Sequence, residues 1–147
     1  MIITNILNVD DYCFDVFMSI SAATTGFDVG ELQSTGMGET YYRHILDSVE
    51  EATFIQFLNV SAEILENSHS VEQLNIKISE HLIAHDGMNE LLEKIITVWY
   101  LGTWNGTYVN AESYPQGLAW KTFHGHPPGA KQPGFKSWNV KPVNAES

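Results

Sequence analysis

Residues 48–82, SVEEATFIQFLNVSAEILENSHSVEQLNIKISEHL, decide the fold class. Ile55, Leu58, Ala62 and Leu65 recur at steps of three and four, and so do Val71, Leu74, Ile78 and Leu82. That is the period of one apolar helical face, and the opposite faces are polar. Ser48 with Glu51, and Ser70 with Gln73, have the capping-box spacing. In that box two side chains satisfy each other's exposed backbone N–H groups at a helix start. The stretch reads as two amphipathic helices.

The pattern extends outward in both directions. Upstream, Asp10 or Asp11 can cap a helix whose inward face carries Cys13, Phe14, Phe17 and Met18, ending near Thr25-Gly26. A glycine-rich stretch from Gly26 to Gly38 follows, and Tyr41, Tyr42, Ile45 and Leu46 resume the helical period. Downstream, Gly87 breaks the chain before a more apolar helix through Leu91, Leu92, Ile95, Ile96, Val98 and Trp99. Gly102 is placed to end it. The expected architecture is one all-α domain: a bundle of about five helices over residues 1–102, then a Pro/Gly/aromatic-rich, largely irregular tail over 103–147.

That tail holds all five prolines and three of the four tryptophans. Tyr108 to Asn110 offers a brief extended piece. Ser113 to Trp120 offers a short helix, with Ser113 capping and Pro115 in the first turn. Phe123, Phe135, Trp138 and Val140 are costly to leave in water. The tail is therefore expected to be pinned, either on its own helical body or on another chain.

Composition excludes several classes. A chain of 147 residues suits one domain that needs no staples. Eighteen acids against seven bases give a net charge of −11, which repels phosphate backbones and anionic lipid headgroups. Nucleic acid is thus a poor partner, and no apolar run approaches the ~18 residues a membrane span requires. The start, MIITNILNVDDY, has neither a basic region nor a twin arginine. The expected location is cytoplasmic as the sequence stands, and periplasmic if an export signal has been removed. Cys13, the single cysteine, excludes an intrachain disulfide and a cysteine-held iron–sulfur cluster; it reads as a small buried hydrophobe. Residues 1–76 hold 12 acids and one base, Arg43, whereas Lys121 to Lys141 hold four lysines and no acid. Such asymmetry is either plain solvated surface or a basic tail lying on an acidic surface of this chain or a partner.

Catalytic motifs find little support. Gly36-Met37-Gly38 supplies only part of a nucleotide-binding fingerprint, with no strand before it. Neither GxSxG nor SxxK occurs. His81 and His85 are four apart, with His124 and His126 in the tail, so a small histidine-metal protein is one alternative. The competing reading is two surface histidines near a helix end. Trp99-Tyr100-Leu101-Gly102 and Tyr114 to Trp120 fit a second hydrophobic cluster or a protein interface, where rings fill pockets and glycine admits backbone.

Three segments give the chain a family likeness. Phe17-Met18-Ser19-Ile20-Ser21 through Thr25-Gly26-Phe27 is similar to F-x-x-[LI]-S-x-x-x-T-G-[FY]. Leu32 through Thr35-Gly36-Met37 to Tyr42 is similar to L-x-x-T-G-M…Y. Trp99-Tyr100-Leu101-Gly102, Tyr114 to Trp120, Trp138 and Lys141-Pro142 are similar to W-Y-x-G…Y-x-x-A-L-x-W…W-x-x-K-P. In order along residues 9–143, they resemble the small (gamma) subunits of FAD-dependent sugar and polyol dehydrogenases, the family named after membrane-bound FAD-containing sorbitol dehydrogenase.

The resemblance implies a noncatalytic subunit with no cofactor of its own. Its partner would be a large flavoprotein of the glucose-methanol-choline type that carries FAD and performs the oxidation. The small subunit would support folding, stability and often export of that partner. Candidate interface residues are Trp99, Tyr100, Gly102, Tyr114, Leu118, Trp120, Trp138 and Pro142, with Trp138 foremost. Two departures stand out: the export signal is not in this sequence, and Gly117 occupies a position where the family often has alanine. The alternative is a soluble helical adaptor unrelated to oxidoreductases.

Overall fold

The computed structural model describes residues 10–123, with side chains over 12–120. It is all-α apart from one two-residue hairpin. The helices are α1 (Asp10–Thr25), α2 (Val29–Ser34), α3 (Gly38–Ser48), α4 (Glu51–Asn67), α5 (Val71–Ile78), α6 (Asp86–Leu101) and α7 (Leu118–Phe123). A π-helical turn, Ser79–Ile83, extends α5 toward α6, and strands β1 (Thr103–Trp104) and β2 (Thr107–Tyr108) follow. The expected bundle is present with one more short helix than the sequence suggested.

α1 is the hub, packing against α2, α3, α4 and α6. Its central ring is Phe17, fully buried and 6.2 Å from Trp99, 5.5 Å from Tyr42 and 6.5 Å from Phe54 between ring centroids. The periphery of α1 is tied to α4 where the Tyr12 hydroxyl donates to the Glu66 carboxylate at 3.1 Å. Cys13 is buried in the same face, as its apolar neighbours indicate. The helix ends as expected: Gly26 takes φ 87° and its N–H donates to Ala22 O.

Several local expectations need correction. Ser48 is the last residue of α3, not the cap of α4; α4 starts after Glu50, which makes no side-chain cap. The buried face of α4 is Phe54, Phe57, Leu58, Ser61, Ala62 and Ile64, whereas Ile55 and Leu65 are only partly buried. Leu58 and Ala62 face inward as expected, and the face extends from them toward Phe54 and Phe57, which have more area to bury. Within the glycine-rich stretch lies α2, started by a reciprocal box in which Asp28 accepts from Glu31 N at 2.7 Å and Glu31 accepts from Asp28 N at 3.0 Å. Gly87 sits in the first turn of α6; the break falls before it, at Ala84–His85.

After α6 the chain turns on Gly102, whose φ of 77° and N–H to Val98 O end the helix. Asn105 (φ 52°) and Gly106 (φ 86°) then form the tight turn of the hairpin, pairing Thr103 with Tyr108 and Trp104 with Thr107. Positive φ at both central positions matches the right-handed twist of the strands. Extended structure thus lies at 103–104 and 107–108, and of the piece expected at 108–110 only Tyr108 is in a strand. Trp104 is buried against α3 and α6, with His44 5.9 Å from its ring and the Lys94 ammonium 5.7 Å from the ring centroid. The helix expected at 113–120 starts at Leu118 instead, and residues 111–116 are turns.

Candidate partner interface

The sequence motifs converge at one end of the bundle, where α1 and α6 terminate. Trp99 is 1% exposed, stacked on Phe17 and met edge-on by Tyr41 at 5.0 Å. One turn on, the Tyr100 hydroxyl donates to Thr25 O at 2.7 Å, and its ring meets Phe27 at 6.0 Å. The hydroxyl therefore locks the end of α1 to the end of α6. Burial raises the Tyr100 phenol above its ordinary value of 10.0. In the Thr35-Gly36-Met37 segment the Thr35 hydroxyl donates to Leu32 O and accepts from Met37 N, fixing the α2–α3 turn. The first motif and the first part of the third thus pack on one another. The second sets the turn that delivers Tyr41 and Tyr42 to the same core.

Two glycines hold the next segment down. A Cβ on Gly102 would lie 2.3 Å from Ser113 O, and one on Gly117 would lie 2.6 Å from Tyr100 O. Both obstacles are backbone, which cannot swing aside as a side chain can. Ser113 is buried; its hydroxyl donates to Gly102 O at 2.9 Å and lies 2.8 Å from Asn110 O. It therefore staples the 110–113 turn to the end of α6 rather than capping a helix. Gly117 precedes α7, so its place rests on close approach to α6, not on helix propensity.

The candidate residues divide accordingly. Trp99, Gly102 and Leu118 are buried within this chain's own core, the alternative that the sequence left open beside a partner-facing place. Tyr100 is half-buried with its hydroxyl engaged. Tyr114 (48% exposed) and Trp120 (38% exposed) are at the surface. Trp138 and Pro142 lie outside the described residues.

Tyr114 and Trp120 stand in a row that sequence reading did not complete. Tyr108, 50% exposed, meets Tyr114 edge-to-face at 5.4 Å, and Tyr114 meets Trp120 in the same manner at 5.4 Å. The Trp120 Nε1–H donates to Tyr114 O at 2.9 Å. Leu101, 52% exposed, closes α6 just before the hairpin. Four of the six exposed large hydrophobics among the described residues come from residues 101–120. The Asn105-Gly106 pair was the available signal for Tyr108, since it fixes the hairpin that presents it.

The histidine pair lies elsewhere. His81, in the π turn, and His85, before α6, line a groove of about 490 Å³ with Lys77, Glu63, Ile64 and Met88. Among the described residues no three His, Cys, Asp or Glu side chains are grouped to hold a metal ion. His124 and His126 lie outside them. Nor does any helix among the described residues have the length and apolarity to cross a membrane. No family model, curated protein or solved structure matches the chain in the three comparisons made.

Proposed function

We propose that this chain is the noncatalytic small subunit of a heteromeric FAD-dependent sugar, polyol or glucoside dehydrogenase. In this reading it supports the folding and stability of the large flavoprotein of the glucose-methanol-choline type that carries FAD and substrate. The observation that carries the reading is the ridge Tyr108–Tyr114–Trp120. It is a set of exposed aromatic rings fixed to a rigid bundle end. Tyrosine and tryptophan held in place lose little entropy on docking and bring much apolar area, as interface anchors do.

The mechanism is indirect. Binding only the folded flavoprotein stabilises it by mass action, by about 2.7 kcal/mol at a hundredfold excess over the dissociation constant. The sequence motifs support the same reading by a division of labour. Trp99, Tyr41, Phe17, Gly102 and Gly117 build the platform, and the ridge is what the platform presents. Co-expression of the tagged chain with a neighbouring large flavoprotein gene tests it. A stoichiometric partner with flavin absorption bands is expected to co-elute. A colourless 16.5 kDa species, beside a flavoprotein that folds equally well alone, would overturn the proposal.

A further inference from the structure

We infer that the segment Phe135–Val140 of this same chain docks on the Tyr108–Tyr114–Trp120 ridge when the chain is alone. The inference does not depend on the identity of any partner. Its first ground is connectivity: α7 carries both Trp120 of the ridge and the point, Phe123, from which residues 124–147 continue. The second is reach. From Phe123 to Phe135 is 12 residues, which span up to about 40 Å when extended, whereas neighbouring ridge rings are only 5.4 Å apart. Gly125, Pro127-Pro128-Gly129 and Pro133-Gly134 supply the turn chemistry for doubling back.

Charge is the third ground. Residues 1–120 carry 17 acids and three bases, while residues 121–147 carry one acid and four lysines. Glu112 is exposed and lies two residues before Tyr114 of the ridge in sequence, and Lys136 and Lys141 bracket Trp138 in sequence. An apolar–aromatic strip with flanking lysines, FKSWNVK, is therefore complementary to an aromatic ridge on an acidic body. Prolines at 127, 128, 133 and 142 lower the entropy lost on ordering. A flavoprotein that uses the ridge would then have to displace this segment, so association would be a handover rather than a simple collision.

The test uses the full chain in a Cys13→Ala background with a nitroxide label on Lys136→Cys, read by nuclear magnetic resonance. At least twofold broadening of Tyr108, Tyr114 and Trp120 signals is expected, diminished at high salt. Broadening confined to other surfaces would overturn the inference. So would broadening seen only when spin-labelled chains are mixed with separate isotope-labelled ones, which would make a second copy the occupant. A second arm compares the intact chain with one ending at Phe123, using an apolar-surface dye. Several-fold higher dye fluorescence with unchanged helical circular dichroism is expected, and equal fluorescence would overturn the inference. Failure here leaves the flavoprotein reading standing, because co-elution with that partner is measured separately.

Discussion

Tyr41 offers a test of the packing around Trp99 that needs no partner. Its ring is 1% exposed against Trp99, and its hydroxyl finds no hydrogen-bond partner among the described residues. Burial pushes the phenol from 10.0 up to about 12. The unfolded chain thus gives up this proton first, so the contribution to stability is intact below pH 10 and is lost as pH rises toward 12. By pH 11 the loss from this group is about 1.4 kcal/mol, approaching about 2.7 kcal/mol beyond pH 12. Tyr41→Phe removes that loss. It also removes a buried hydroxyl without a partner, so at pH 7 the variant should be more stable by about 1 kcal/mol. Urea unfolding at pH 7, 9, 10 and 11 measures both effects, with the gap between variant and parent widening above pH 10. A variant less stable at pH 7, or a gap that stays constant with pH, would refute the assignment of Tyr41 to a dry, unpartnered site.

Trp99→Ala should cost about 3–5 kcal/mol of stability, because it leaves a cavity between Phe17 and Tyr41; chemical denaturation reads this directly. Gly117→Ala should cost about 1–3 kcal/mol, although alanine favours helices, because the new methyl meets the Tyr100 carbonyl; a neutral or stabilising result would contradict the close approach. Tyr108→Ser combined with Tyr114→Ser should shift stability by less than about 1 kcal/mol, yet lower retention of the flavoprotein in a pull-down at least tenfold.

Helix existence was legible in the residues wherever large apolar side chains set a period. Phe17, Leu74, Ile78, Leu82, Leu91, Ile95 and Trp99 all face inward as their spacing indicates. Boundaries were less legible. Ser48-x-x-Glu51 matches a capping box, yet Val49 turns extended (φ −117°, ψ 146°), so the serine belongs to the preceding helix. The converse occurs at Asp28 and Glu31, where a true box starts a six-residue helix in a stretch dominated by glycines. The π turn at Ser79–Ile83 leaves no mark on the i, i+4 series Leu74, Ile78, Leu82, because one extra residue per turn keeps Leu82 buried.

The candidate site was half legible. Motif spelling located Trp99, Gly102, Tyr114, Leu118 and Trp120 but could not say which faced inward. Burial is decided by tertiary partners, such as Phe17 for Trp99 and Tyr100 O for Gly117, that lie far away along the chain. Ser113 shows the same limit: a serine in the right place for a cap is used instead to staple a turn to the end of α6.

The most direct test of the subunit's role is the yield of FAD-loaded large flavoprotein in soluble extract, measured by flavin absorbance with and without this chain co-expressed. The account predicts a severalfold rise that is lost in the Tyr108→Ser, Tyr114→Ser chain and kept in Tyr41→Phe. Equal flavin loading in all four cases would contradict it.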